Sequence, residues 1–403
     1  MAPDYKLSPD RDYSIAVVGG GIAAHAFAEI GAGVSLGPNA IRAMSMIDPA
    51  IRKGFENCAT NNLWPDRQQY WFSFRKGQDH SSHNGTNFCN LVCETGQTSV
   101  HRATFLDELV ALIPDGVAHF GKRLVDAEDQ GDHVVLHFAD GTKAKHSALV
   151  GCDGVKSRTR QIVLGEDHPT AHAVFSGKYA YRGLIPMEKA KELLGEEVAA
   201  NAQMFFGHRG HILTFPIEHG KTMNVVAFAS KDGEWGSDQW VQPMNREHME
   251  KDFEGWVPAA RQILQLMQKP DVWALFEHLP APTYHKGRVV LLGDAAHAST
   301  PHQGANAGQA IEDSLIMSKT MAHVYKAEDI PKAFAAFDKV RRPRTQKQVK
   351  TAHEAGMLYD LELPGYDDDF NKIEASLQER MSWIWDHDLE ADIQEAARIF
   401  SNA

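Results

Sequence analysis

Positive charge is in short supply in this 403-residue chain: 41 Lys and Arg stand against 53 Asp and Glu, a formal charge of −12. That balance argues against nucleic acid and against an anionic membrane surface as main partners. Cysteine is scarce too. Cys58, Cys89, Cys93 and Cys152 are too few to frame a disulfide-stapled fold of this size. Cys89 and Cys93 have no second Cys or His pair at ligand spacing, so no metal site is expected. No apolar run approaches the roughly 18 residues that a membrane helix needs. The opening "MAPDYKLSPDRDYS" has no signal-peptide core. Internal repeats and low-complexity segments are missing as well. The expectation is a soluble, cytoplasmic protein whose composition, 43% hydrophobic and 23% charged, suffices for one large domain or two medium ones.

What is present has a grammar. "SIAVVGGG" (Ser14–Gly21), "HSALVGCDG" (His146–Gly154) and "GRVVLLGDAAH" (Gly287–His297) each run from an apolar strand into glycine. Strands apolar throughout predict a buried parallel sheet with ligands at its carboxyl edge. Between the second and third lies "AQMFFGHRGHILTFPIEHGKTMNVVAFAS" (Ala202–Ser230), which predicts three antiparallel strands with turns at His208–Gly210 and Glu218–Lys221. From Ile311 the spacing turns helical. Pro331 suits a helix start, whereas Pro343 predicts a kink or an end. The tail over 371–400 is acidic and amphipathic.

Two constellations could carry chemistry. Gly19, Gly21 and Ala24 fit G-x-G-x-x-A after a strand, in which the first glycine makes a tight turn and the second admits a pyrophosphate. Alone this is weak, because glycine is common. "GDAAHASTPHQGANAGQA" (Gly293–Ala310) is more specific. An Asp directly after a buried strand is costly unless it accepts strong hydrogen bonds, which a polyol would supply. Gly304 then begins a small-residue run opening a helix, whose N-terminal N–H groups favour developing negative charge. A glycine-rich loop with Asp294 as a helix cap is the plainer alternative.

"GDAAHASTPHQGANAGQAIEDS", "GCDGVKSRTR", "HRATFLDEL" and "YRGLIP" together resemble the group A FAD-dependent aromatic hydroxylases, in particular the salicylate hydroxylase-like enzymes of fungal secondary metabolism. The resemblance spans essentially the whole chain. It implies an α/β fold: a Rossmann-like FAD-binding domain over 1–165 and 281–345, an inserted antiparallel-sheet substrate domain over 166–280, and C-terminal helices over 346–403. It also implies non-covalent FAD, NADH or NADPH as a transient electron donor, O2, and a small phenolic or polyketide-type substrate. By position, Asp294 would bind the FAD ribityl hydroxyls and Gly304 to Ala307 would line the isoalloxazine. Gly19, Gly21, Ala32, Gly33 and Asp153 would help hold the cofactor. Arg102 would reach the ribityl or pyrophosphate region, unless it is a surface arginine at a helix start. Arg182 is the candidate for catalytic electrostatics, with a structural salt bridge as the alternative. His211, Phe215 and Phe228 belong to the sheet roofing the pocket, more as core than as contacts. The Arg run of "FDKVRRPRTQ" reads as a solvated helix face. Asn306 stands where glycine is usual and is tolerable because Asn accepts left-handed backbone.

One piece is missing. A βαβ unit needs about 30 residues, yet nine residues separate Gly21 from Gly31. The crossover helix and the strand ending in an acidic ribose ligand do not fit there, and Glu29 belongs to the later segment. A shortage of about 20 residues leaves two further expectations open: a mis-spliced form of the enzyme, or a flavin-deficient relic that keeps only ligand binding. A flavoenzyme performing dehydrogenation or ring rearrangement is a third.

Overall fold

The computed structural model describes residues 11–19 and 33–403; Gly21, Ala24, Glu29 and Ala32 lie outside them. The three glycine-ended strands are neighbours. Ile15–Val18 pairs in parallel with Ala148–Gly151, which pairs in parallel with Val289–Leu291, and His285–Lys286 closes the far edge antiparallel. Leu149, Val150, Val289, Val290 and Leu291 are buried in one core with Leu315, Ile316, Phe334 and Phe337 of the two helices that follow. The two inner apolar strands are thus buried on both faces, as parallel sheets require.

The second sheet has eight strands, in the spatial order Val241–Pro243, Gln268–Glu277, Val174–Pro186, Thr222–Ser230, Gly210–Ile217, Gln203–Gly207, Tyr70–Lys76 and Asn87–Val92. The three predicted strands and both turns stand where the sequence places them. Arg209, Glu218 and His219 take left-handed backbone in those turns. The last two strands come from 70–92, ahead of the segment expected to form the sheet. Period-two alternation sends Tyr179, Tyr181 and Ile185 to a core with helices Met187–Leu194 and Pro258–Leu266. Ala180, Leu213, Phe215, Val226 and Phe228 face the opposite way, against Ala305, Leu358 and Tyr359. This second face looks toward the glycine-rich loop.

A short three-stranded sheet joins the two halves: Gly33–Ser35 and Thr60–Asn61 flank Thr98–His101, and the helix Arg102–Val110 follows immediately. Gly33 lies opposite His101. Its N–H also donates to Asn224 Oδ1 of the large sheet at 3.3 Å, and a Cβ on it would come within 2.6 Å of the Phe215 ring. Only glycine permits that approach.

Of the kink or end expected at Pro343, the end is excluded: the helix runs on as Ile330–Tyr359, with Pro331 in its first turn. The Arg run needs correction, since it is not a solvated face. Arg341 is fully buried and Arg344 nearly so, and both clasp Glu312 while Arg341 also binds Asp313. Charges that compensate one another can be buried together, and these bonds hold the helix on both sides of the proline.

Among the described residues, Ile15–Val18 has no strand on its outer side, and Val17 is 62% exposed. No described helix is long and apolar enough to cross a membrane.

Candidate active site

Most of the predicted cofactor residues that are described meet at the carboxyl edge of the parallel sheet or beside the joining sheet. Gly19 has φ +107°, and any Cβ there would collide with the Cys152 carbonyl, so the first turn needs glycine. Arg102 continues directly from the strand that pairs with Gly33. It also lies within electrostatic reach of Asp294. Asp294 opens the short helix Asp294–His297 just after the buried strand Val289–Leu291. Its carboxylate has no hydrogen-bond partner among the described residues and is exposed on one side, with protein enclosing the rest. That enclosure pushes its pKa up, while His297 and Arg102 pull it down.

Gly304 takes left-handed backbone at φ 61°, 3.1 Å from Trp71 by its would-be Cβ and 3.8 Å from that of Ser35. The 16-residue helix Asn306–Met321 then begins with no side chain capping it, which leaves its first N–H groups for a ligand. Asn306 is helical, so the left-handed tolerance invoked for it is not needed. Its amide donates to the Ser299 carbonyl at 2.6 Å and accepts from Gln348 at 3.1 Å, tying the loop to the long helix. Ala307 is half-buried against the parallel-sheet core.

Asp153 is differently occupied. One oxygen accepts from Ser157 Oγ at 2.5 Å, the other from Thr159 N and Oγ1 at 2.9 and 3.0 Å. The carboxylate thereby folds its own loop and starts the helix Arg158–Leu164. Buried Arg160 from that helix donates to the carbonyls of Ala295 and Ala296 at 3.2 and 2.7 Å, which braces the Asp294 turn. Asp313 braces it from below, accepting from Gly293 N at 2.9 Å and His297 Nε2 at 2.6 Å. Both motifs hold the Asp294 turn in place through these hydrogen bonds.

A buried polar chain crosses the aromatic face of the large sheet. Asp360, the residue after the long helix, pairs with Lys178 Nζ and accepts from Ser230 Oγ at 3.1 Å. Its other oxygen meets His211 Nδ1 at 2.6 Å, and His211 Nε2 lies 3.2 Å from His302 Nδ1. Phe228 stacks on His211 at 4.4 Å. His302 Nε2 is buried with no partner. Burial lowers both histidines' pKa values, well below 6.5 for His302, so both rings are neutral at pH 7. Sequence reasoning named His211 only as core and passed over Lys178, His302 and Asp360. The available signals were a lysine opening the strand segment "KYAYRGLI" and a histidine beside the glycine-rich loop.

Arg182 shares the face of this chain, one alternation along its strand from Ala180, which lies opposite Phe228. Its guanidinium stacks over Trp273 at 5.2 Å, on the side away from His211. The uncapped helix start, the left-handed glycine and the unpartnered Asp294 carboxylate fit a flavin and its polyol chain.

Comparisons with known proteins agree. The FAD binding domain family matches residues 66–352. The chain is 41% identical over 414 positions to a 6-methylsalicylate 1-monooxygenase of Aspergillus terreus, covering 96% of this chain and 92% of that protein. It is 39% identical to a salicylate hydroxylase of Pseudomonas putida, covering 93% of this chain and 87% of the relative. A solved salicylate hydroxylase substrate complex superposes with a TM-score of 0.86 at 36% identity, over 95% of this chain and 98% of the other. The chain therefore belongs to the group A FAD-dependent aromatic hydroxylases, as a flavoprotein monooxygenase of the salicylate-hydroxylase type.

Proposed function

We propose that this protein hydroxylates a phenolic ring, of the salicylate or small polyketide kind, with NADH or NADPH as electron donor and O2 as co-substrate. FAD supplies the redox chemistry when bound. Asp294 would hold its ribityl hydroxyls, Arg102 its ribityl or pyrophosphate part, and Gly19 and Gly33 would admit its backbone closely. The helix start at Gly304 to Ala307 would face the flavin ring and favour negative charge there.

The observation that carries the substrate class is a buried ring nitrogen without a partner, His302 Nε2, among aromatic rings beside that helix start. A phenolic hydroxyl would donate to it, and partial transfer of that proton enriches the ring in electrons for electrophilic hydroxylation. The walls of Phe215 and Phe228 keep water out. Arg182 would meet a ring carboxylate from the rim of the same face. The test is to load the protein with FAD, add salicylate or 6-methylsalicylate with NADH or NADPH under oxygen-18, and analyse the product. Label in a new ring hydroxyl is expected; substrate-dependent oxidation of the donor without label would reject hydroxylation.

A second reading has its own observation. Among the described residues the outer edge of Ile15–Val18 is open and Val17 exposed, where a crossover and second strand would cover them. The alignment to the Aspergillus relative also spans more positions than this chain has residues. A chain so shortened would bind aromatic ligands yet retain flavin poorly, and it would emerge colourless from purification with FAD.

A further inference from the structure

We propose that Asp360 and Lys178 are positioning residues that lock His211 and His302 in the one tautomer leaving a lone pair at His302 Nε2. The proposal rests on the phenolic reading of the site for its consequence, though the lock itself does not.

The logic is donor counting. An ionised carboxylate only accepts, so at 2.6 Å from Asp360 the proton of His211 must sit on Nδ1. His211 Nε2 then carries a lone pair. Its neighbour at 3.2 Å, His302 Nδ1, must therefore donate, which leaves His302 Nε2 bare. That is the atom left without a partner. A protonated Asp360 or a reversed pair would present an N–H there, and an N–H cannot take a phenolic proton.

Three elements fix the lock. Lys178 and Ser230 lie opposite each other on adjacent strands, and both hold the second oxygen of Asp360. Burial alone would raise the Asp360 carboxyl, but His211 and Lys178 together hold it below its ordinary value, so it stays ionised. The long helix contributes Gly356, where any Cβ would come within 2.7 Å of His302 Nε2. The charges facing the chain are few. Lys178 and His353 face His302, Arg209 faces Asp360, and Glu362 stands 3.6 Å from Lys178. Each positive group lowers the basicity of the histidines, and Asp360 raises it.

The experiment uses the FAD-loaded protein and 4-nitrophenol, whose phenolate is coloured, so its ionisation when bound is read by difference spectra across pH. Asp360→Asn should lower the bound phenol's apparent pKa by about one unit or more, since the anion is lost and an N–H arriving at His302 Nε2 would donate to the phenolate. An unchanged or raised value overturns the proposal. Lys178→Met should bring a protonated His302 Nε2 into nitrogen-15 spectra of histidine-labelled protein, because Asp360 loses the cation that keeps it ionised. Should Asp360→Asn not fold, Lys178→Met decides alone: a protonated Nε2 supports the lock, and a spectrum unchanged from the wild type rejects it. Nitrogen-15 spectra of histidine-labelled protein without phenol separate the two ideas, with the His302 signals assigned by His302→Gln. An unprotonated Nε2 in the wild type supports the lock even if 4-nitrophenol does not bind, a result that would count against the phenolic site alone. A protonated Nε2 overturns the lock.

Discussion

At the scale of single residues, the site depends on groups whose partners are left open. Asp294 is the clearest: a carboxylate at the edge of the sheet with no protein hydrogen bond among the described residues, braced by Arg160 and Asp313 from behind. Replacing it with Ala should abolish retention of FAD through gel filtration while the far-ultraviolet circular dichroism stays unchanged; full retention would remove Asp294 from the cofactor site. The buried neutral histidines make a second prediction. Burial lowers His211, His302 and His278, the last to about 3, while an unfolded His titrates near 6.5. Below that value the unfolded chain binds more protons, so stability falls as pH drops. His278 alone should cost about 2 kcal/mol between pH 7 and pH 5. His353, raised by its hydrogen bond to Glu277, works in the opposite sense: its stabilisation is present at low pH and lost as pH rises through the raised value. His146 and His285 are lowered as well, so with five groups against one the urea midpoint should fall from pH 7 to pH 5, and a flat profile would show that these rings are already protonated in the fold.

At the scale of elements, strands were more legible than helix surfaces. The hairpins of the large sheet follow from alternation and from turn residues at His208–Gly210 and Glu218–Lys221, both local signals. The long helix is another matter. Local rules let Pro343 kink or end it, and an arginine run says its surface is wet. It does not end there, and the surface is dry because Glu312 and Asp313 arrive from another helix to bury Arg341 and Arg344. Burial would raise the Glu312 carboxyl, but the two arginines bring it down to about 2. Arg341→Met should destabilise the protein by about 3–5 kcal/mol, as loss of one partner from a buried ionic cluster does. Lys332→Met, at an exposed pair, should cost under about 1 kcal/mol in the same urea titration. Equal effects would mean that the cluster contributes no more than surface charge.

At the scale of the whole molecule, the two sheets share one loop, Gly293–Ala310, and the site lies where that loop meets them. The count after Gly21 predicts that the first βαβ unit lacks its crossover and acidic ribose ligand, which would leave the adenosine half of FAD little to hold it. The flavin half would keep Arg102, Asp294 and the helix start. FMN and FAD should therefore bind this chain within about tenfold of each other, measured by quenching of flavin fluorescence. Inserting the crossover segment of a relative after Gly21 should restore a clear preference for FAD. A preference above about a hundredfold in the present chain would mean that the adenosine site is complete without the crossover.

The sequence by itself determined the parallel and antiparallel sheets, the glycine turns and the Asp294 loop, because each is written in neighbouring residues. It also counts nine residues between Gly21 and Gly31, fewer than a βαβ unit needs. Only the tertiary structure decided the roles of Asp153, Arg341, Arg344 and the chain from Lys178 to His302. Lys178 and Asp360 are 182 positions apart and meet at one buried ion pair. No local pattern encodes such a meeting: a charge is buried only where packing delivers its partner, and packing belongs to the whole fold.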